Sequence, residues 1–153
     1  MSACLPRPGP HFLSVGDAIA ERLCERLPHD VRVLTVADMT AVKTQPAPSV
    51  QVIYDGYRID AEQGSITSIE QTWLTVIAVS NRLTAGRARE GSRTDAGPLC
   101  DDVLMALLRW QPRQGVKPLR LAAAFAPMYA GGFAYFPFAW AATLTLRAEI
   151  CQT

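Results

Sequence analysis

Histidine is scarce in this sequence. There are two, His11 and His29, one in a proline-rich start and one just after a helical stretch. Neither has a Ser, Cys or acidic partner in a recognisable pattern, which argues against a His-based nucleophile–base pair. The four cysteines, Cys4, Cys24, Cys100 and Cys151, form no C-x-x-C pair and have no histidine at zinc-like spacing. Reduced thiols are the expected state, with Cys24 and Cys100 as small core residues on helices. Phosphate-binding glycine loops, nucleophile elbows and H-E-x-x-H helices are missing as well. Asp101 and Asp102 are adjacent, so on a helix they point about 100° apart and do not converge on a metal. No catalytic residue, metal ligand or cofactor-binding residue is therefore assigned.

Charge is also in short supply. Charged residues make up 19% of the 153-residue chain, against about 25% in typical soluble domains. The net charge is +1, which argues against a protein that coats duplex nucleic acid, though not against a local basic patch. The length favours a single domain with a sizeable core.

What the sequence does have is a long charge-free run from Leu121 to Leu146, "LAAAFAPMYAGGFAYFPFAWAATLTL". It is long enough to span a membrane, for which about 20 apolar residues suffice. Its texture is wrong for that. Pro127, Gly131, Gly132 and Pro137 interrupt it, and after the glycines large residues alternate with small or polar ones. Phe136, Phe138, Trp140, Ala142, Leu144 and Leu146 share one face, so a core-covering strand is predicted. Gly131–Gly132 then marks a turn or bulge, and Pro137 belongs at an edge or bulge. The aromatic residues Tyr129, Phe133, Tyr135 and Trp140 form either plain core or a small-ligand pocket.

The rest of the chain alternates regular segments with polar breaks. "SVGDAIAERLCERL" predicts a helix from Ser14 to Leu27, capped by Ser14 and burying Ile19, Leu23 and Leu27. Strands follow at Val31–Val36, Ser49–Tyr57 and Ser68–Asn81. Between the last two, Arg58–Ser65 has the composition of a hairpin loop. A second helix opens at Asp95, with Pro98 in its first turn and the Asp101–Asp102 pair near the positive end of its dipole. Leu99, Val103, Leu107 and Trp110 form its stripe, and Pro112 marks its end. Pro118–Phe125 is another strand. The fold class is α+β, a mostly antiparallel β-sheet with two main helices packed on one face. Residues 1–13 read as a flexible proline-rich arm and residues 14–150 as one domain.

The one concentration of charge is "RLTAGRAREGSR", Arg82 to Arg93. Its four arginines, Arg82, Arg87, Arg89 and Arg93, have no apolar periodicity among them and predict a mobile loop. Such a loop is either a solvated surface or an interface that meets nucleic acid or a partner.

With these elements in place, the wording becomes informative. "VIYDGY", "RWQP" and "GFAYFPFAW" resemble the tail terminator-like proteins of long-tailed bacteriophages and prophages, and the resemblance runs from Val15 to Arg147. It implies a virion structural protein, not an enzyme, that needs no cofactor. Such a protein assembles as a ring, commonly a hexamer, on the head-proximal end of the tail tube. There it stops tube polymerisation and offers a surface for head–tail joining. The implied partners are further copies of itself, the tail tube protein, a head completion or connector protein and DNA in the channel, but no membrane. The implied location is the virion tail, with assembly in the host cytoplasm. Candidate contact residues are Arg58, Asp60 and Glu62 of the hairpin, with Arg82, Arg87, Arg89 and Arg93. Another head–tail or baseplate component, and a small-ligand-binding domain, are the alternatives.

Overall fold

The computed structural model describes residues 10–35, 47–81, 88–123 and 125–149, with side chains from residue 96 onward in the third segment. The elements are α1 (Ser14–Arg26), β1 (Arg32–Leu34), β2 (Ser49–Gln63), β3 (Ile66–Ser80), α2 (Ala88–Leu107), β4 (Arg120–Ala123), β5 (Met128–Ala130) and β6 (Phe133–Arg147). The strands form one sheet in the order β1-β2-β3-β6-β4, with β5 also paired to β6. β1 runs parallel to β2, and every other pairing is antiparallel.

Three strands dominate. β2, β3 and β6 each have 15 residues, a span of about 50 Å. Alternation along β3 sorts its side chains between two faces. Ile69, Gln71, Trp73, Thr75, Ile77 and Val79 are all buried. Register places Val50, Val52 and Tyr54 of β2 beside them, and Phe136, Phe138, Trp140, Ala142 and Leu144 of β6 on the other flank. α1 and α2 cover this face. Ile19, Leu23 and Leu27 are buried as the fourfold spacing requires, as are Leu99, Val103 and Leu107. Truncating one such side chain to Ala would cost about 2–5 kcal/mol. The helices are tied together by Arg22, whose Nε donates to the Ala106 carbonyl at 3.1 Å and whose guanidinium lies 5.4 Å from the Trp110 ring centre.

The two buried indoles are satisfied within the sheet. Trp140 Nε1 donates to Thr75 Oγ1 at 2.9 Å. Trp73 Nε1 donates to Gln71 Oε1 at 3.0 Å, and Gln71 Nε2 donates to the Phe12 carbonyl at 2.8 Å. These bonds explain polar Gln71 and Thr75 in an apolar layer, since a buried donor without an acceptor is costly.

Several boundaries differ from the sequence expectations. Arg58–Gln63 is strand, not hairpin loop, and Gly64–Ser65 alone make the turn. Both faces of that end are exposed on β2, so burial imposes no apolar alternation and a polar strand looks like a loop. The second helix opens at Ala88 rather than Asp95, so Arg89 and Arg93 are helical. Arginine, alanine and glutamate are strong helix formers and need no apolar stripe to be helical. Pro98, Asp101 and Asp102 consequently sit well inside the helix, not in its first turn, and the helix ends at Leu107, before Pro112. Trp110 lies half-buried beyond it. Ser14 is the first residue of α1 and does not cap it. Leu13 holds the cap position without a side-chain bond, and Ser14 Oγ donates to the His11 carbonyl at 2.6 Å. Cys24 is exposed, because it is turned about 100° from Leu23 and the buried stripe. Of the proline arm, residues 1–9 lie outside the described residues, as does Val36 of the first strand. Phe12 is docked, its ring edge-on to Tyr54 and Tyr57 at 5.9 and 5.8 Å.

The charge-free run divides into β4, β5 and β6. Gly131 and Gly132 both have positive φ, 59° and 81°, which the two-residue β5–β6 turn demands. Pro137 pairs with Val76 on one side. On its outer side it falls between the Ala123–Ala139 and Met128–Tyr135 pairings, where no described strand needs its missing N–H.

Candidate assembly surface

Among the described residues, the other face of the sheet has no helix on it. Even-numbered residues of β3 point there, and toward the inner end these are Leu74, Val76 and Ala78. Ile53 of β2 pairs with Leu74, and Pro137 of β6 pairs with Val76. The segment entering β5 rises beside them. Phe125 and Met128 wall a groove of about 380 Å³ whose floor includes Ile53, Leu74, Val76 and Pro137. Phe125 is 51% exposed and Met128 63%. With Leu121 exposed on β4, they form an apolar strip along one margin of the sheet. A lone exposed apolar residue means little, but a contiguous strip bordering a groove is the mark of a contact surface.

Toward the outer end, the same face turns polar. Glu70 of β3 is nearly covered, its side chain 10% exposed. Arg58 grips it with two hydrogen bonds, Nη2 to Oε2 at 3.0 Å and Nε to Oε1 at 3.3 Å. Arg120 of β4 donates to the same Oε2. β6 lies between them. Arg120 pairs with Ala141 and Thr72 also pairs with Ala141, so the small Ala141 leaves room for the guanidinium to pass over. Asp60 Oδ1 adds a 3.7 Å contact to Arg58, and Ser68 Oγ donates to Asp60 Oδ2 at 3.3 Å. Both arginines are half exposed, so each bridge contributes about 1 kcal/mol or less. The cluster links β2, β3 and β4 across the sheet.

Two of the three hairpin residues singled out from sequence are thus brought together, as Arg58 and Asp60 join Glu70. Glu62 stands apart, exposed near the strand end. Arg82 and Arg87 lie outside the described residues. Arg89 and Arg93 are placed on the first turns of α2 by its backbone. The four aromatic residues do not converge. Trp140 is core, Tyr129 is half-buried against the core, and Phe133 and Tyr135 lie on the helix-free face with ring centres 6.4 Å apart. His11 has an acidic neighbour after all, its Nε2 lying 3.5 Å from Asp17 Oδ2, while both side chains remain largely exposed. Cys100 is half-buried, and burial, then the charge of Asp101, push its thiol up to about 11. No group of His, Cys, Asp and Glu among the described residues is arranged to hold a metal. No described helix is long and apolar enough to cross a membrane.

Phe125 and Met128 were missed by sequence reasoning, which made Phe125 a strand end and assigned Met128 to no element. Their signal was available in Leu74 and Val76, apolar residues on the β3 face opposite Trp73, for which the sequence reading offered no covering helix.

A three-strand platform with helices on one face, an open apolar groove on the other and ion pairs between strands defines a small α+β domain with an exposed apolar surface. A family model described as phage tail terminator protein matches residues 11–150. The chain belongs to that family, a structural component of phage tails. No curated protein matches the sequence.

Proposed function

We propose that copies of this chain form a ring, a hexamer in the simplest case, that caps the head-proximal end of the tail tube. The ring stops tube polymerisation, presents its other side to a head completion or connector protein, and leaves a channel for DNA. Family membership supplies the tail context. The observation that carries the reading is the open apolar groove with exposed Phe125 and Met128, a surface that association would cover. The mechanism is steric. One side of the ring matches the last tube ring, and the opposite side lacks the tube's polymerising surface. A ring follows when one patch of each copy binds a different patch of the next and the rotation closes.

The test is electron microscopy of phage particles assembled without this chain. Overlong tails of uneven length, unattached to heads, are expected. Tails of normal length joined to heads would overturn the proposal.

A further inference from the structure

The two margins of the sheet carry opposite charge. From Val103 to Ala148 the sequence contains five basic residues and no acidic one. Three of these, Arg109, Arg113 and Lys117, lie in the connection that runs along the outer side of β6 into β4. That connection is pinned by the Val116–Leu144 bridge and by the Lys117 N–H, which donates to the Thr143 carbonyl at 3.0 Å. The opposite margin is the outer edge of β2. β1 pairs only with Ser49, Val50 and Gln51, so among the described residues β2 has no outer partner from Val52 to Gln63. This edge presents Asp55, Asp60 and Glu62, and its one arginine, Arg58, is held by Glu70.

The opposed charges also lie at similar heights. Register runs Ile59–Ile69–Leu144 across the sheet, and Val116 bridges to Leu144. Lys117 is therefore level with the Arg58–Asp60 stretch of β2. Glu62 is level with Leu146 through Thr67, next to Arg147. Apolar side chains accompany both margins, Tyr57 and Ile59 on β2, each 59% exposed, and Leu121, Phe125 and Met128 on the other.

We infer that the occupant of each margin is a second copy of this chain, the acidic β2 edge of one copy meeting the basic β6–β4 margin of the next. This rests on the ring reading and assigns its subunit contact. The partners are different patches on opposite margins, so the contact is heterologous and propagates around a ring. Unpaired strand edges with complementary charge favour one partner and one orientation. A free edge of 12 residues, Val52 to Gln63, is about 40 Å long and, as a single sheet layer, about 10 Å deep, giving about 400 Å² per copy, a contact at the small, reversible end of specific interfaces that repetition around a closed ring reinforces.

Charge reversal tests the assignment. Asp55 and Glu62 have no ion pair to a described residue, so D55K/E62K reverses the β2 edge with little internal cost. R109E/K117E reverses the other margin. Assembly is read as mass by sedimentation at low salt, with circular dichroism to show that each variant is folded. Wild-type protein is expected to assemble and to loosen as salt rises. Each variant alone presents like charges on both margins, and the concentration it needs to assemble is expected to rise about tenfold or more. Mixed one to one, the two variants regain complementary contacts, and an alternating ring should form. Variants that assemble like wild type, or a mixture that stays dissociated while wild type assembles, overturn the edge assignment and leave the ring reading standing. Wild-type protein that remains monomeric at millimolar concentration and low salt, both alone and with purified tail tubes, overturns both.

Discussion

Gly16 lets α1 pack directly against Trp73 of the sheet, and G16A tests how rigidly the two are docked. A methyl group built there would lie 2.3 Å from Trp73 Cζ3 and 2.5 Å from Cη2, where carbon atoms normally stay about 3.5–4.0 Å apart. The indole cannot swing away freely. Its Nε1 is bonded to Gln71, Gln71 is bonded to the Phe12 carbonyl, and the Tyr54 ring packs 5.1 Å from it. Relief therefore requires α1 to move off the sheet, and overpacking of this kind costs about 1–3 kcal/mol. Alanine gains helix propensity over glycine, up to about 1 kcal/mol in a helix interior and less in a first turn. The net expectation is a loss of about 1–2 kcal/mol, or a fall in Tm of about 2–8 °C for a chain of this size. Thermal unfolding followed by circular dichroism measures it. W73F should make the second half of a double-mutant cycle, because phenylalanine withdraws the distal ring that the new methyl strikes. The combined cost should then be smaller than the sum of the single costs. If G16A melts at or above the wild-type temperature, or the two changes are additive, the tight docking inferred from the distances is wrong.

Three further outcomes follow from the same structure. T75V keeps the shape of the side chain but strips Trp140 Nε1 of its acceptor, so a loss of about 1–3 kcal/mol is expected in denaturant titration; an unchanged midpoint would show that the indole finds another acceptor. The Cys100 thiol, raised to about 11 by burial and by Asp101, should be alkylated slowly at pH 8, with a rate that climbs about tenfold per pH unit toward 11. The unfolded thiol ionises earlier, so this group's contribution to stability falls as pH rises from the ordinary thiol range toward 11; a rate that levels off near pH 9 would contradict the shift. F125S/M128S removes two apolar walls of the groove where both are already largely exposed. Monomer stability should change by no more than about 0.5 kcal/mol, while attachment to tail tubes weakens; unaltered attachment would remove the groove from the assembly surface.

Much of the fold was legible because its alternation is driven by burial. Along β3, every second residue from Ile69 to Val79 must enter the helix-covered layer, and that period survives in the sequence. The same holds for Ile19, Leu23 and Leu27. Legibility ended where burial ended. Arg58–Gln63 is held by ladder bonds to β3 with neither face covered, so nothing constrains its side chains to alternate and a strand reads as a loop. The first turns of α2 carry arginines and glycines without a stripe, so a helix reads as a loop for the same reason. The cross-sheet cluster was hidden for another cause. Glu70, Arg58 and Arg120 are brought together by register, with small Ala141 on the strand between, and register belongs to no local window of sequence.

The helix-free face shows how that limit bears on function. Leu74 and Val76 made β3 apolar on both sides at its inner end, and a sequence with only two predicted helices had nothing to cover the second side. That surplus was visible without coordinates. What the coordinates add is that Phe125 and Met128 gather beside the surplus instead of scattering over the surface. The charges divide in the same way, acidic along the free edge of β2 and basic along the opposite margin. A monomer gains no stability from leaving apolar walls in water, nor from sorting its charges to opposite edges. Both arrangements become favourable when a neighbouring molecule supplies the missing partner, which the proposed ring would do by repeating the same contact from copy to copy.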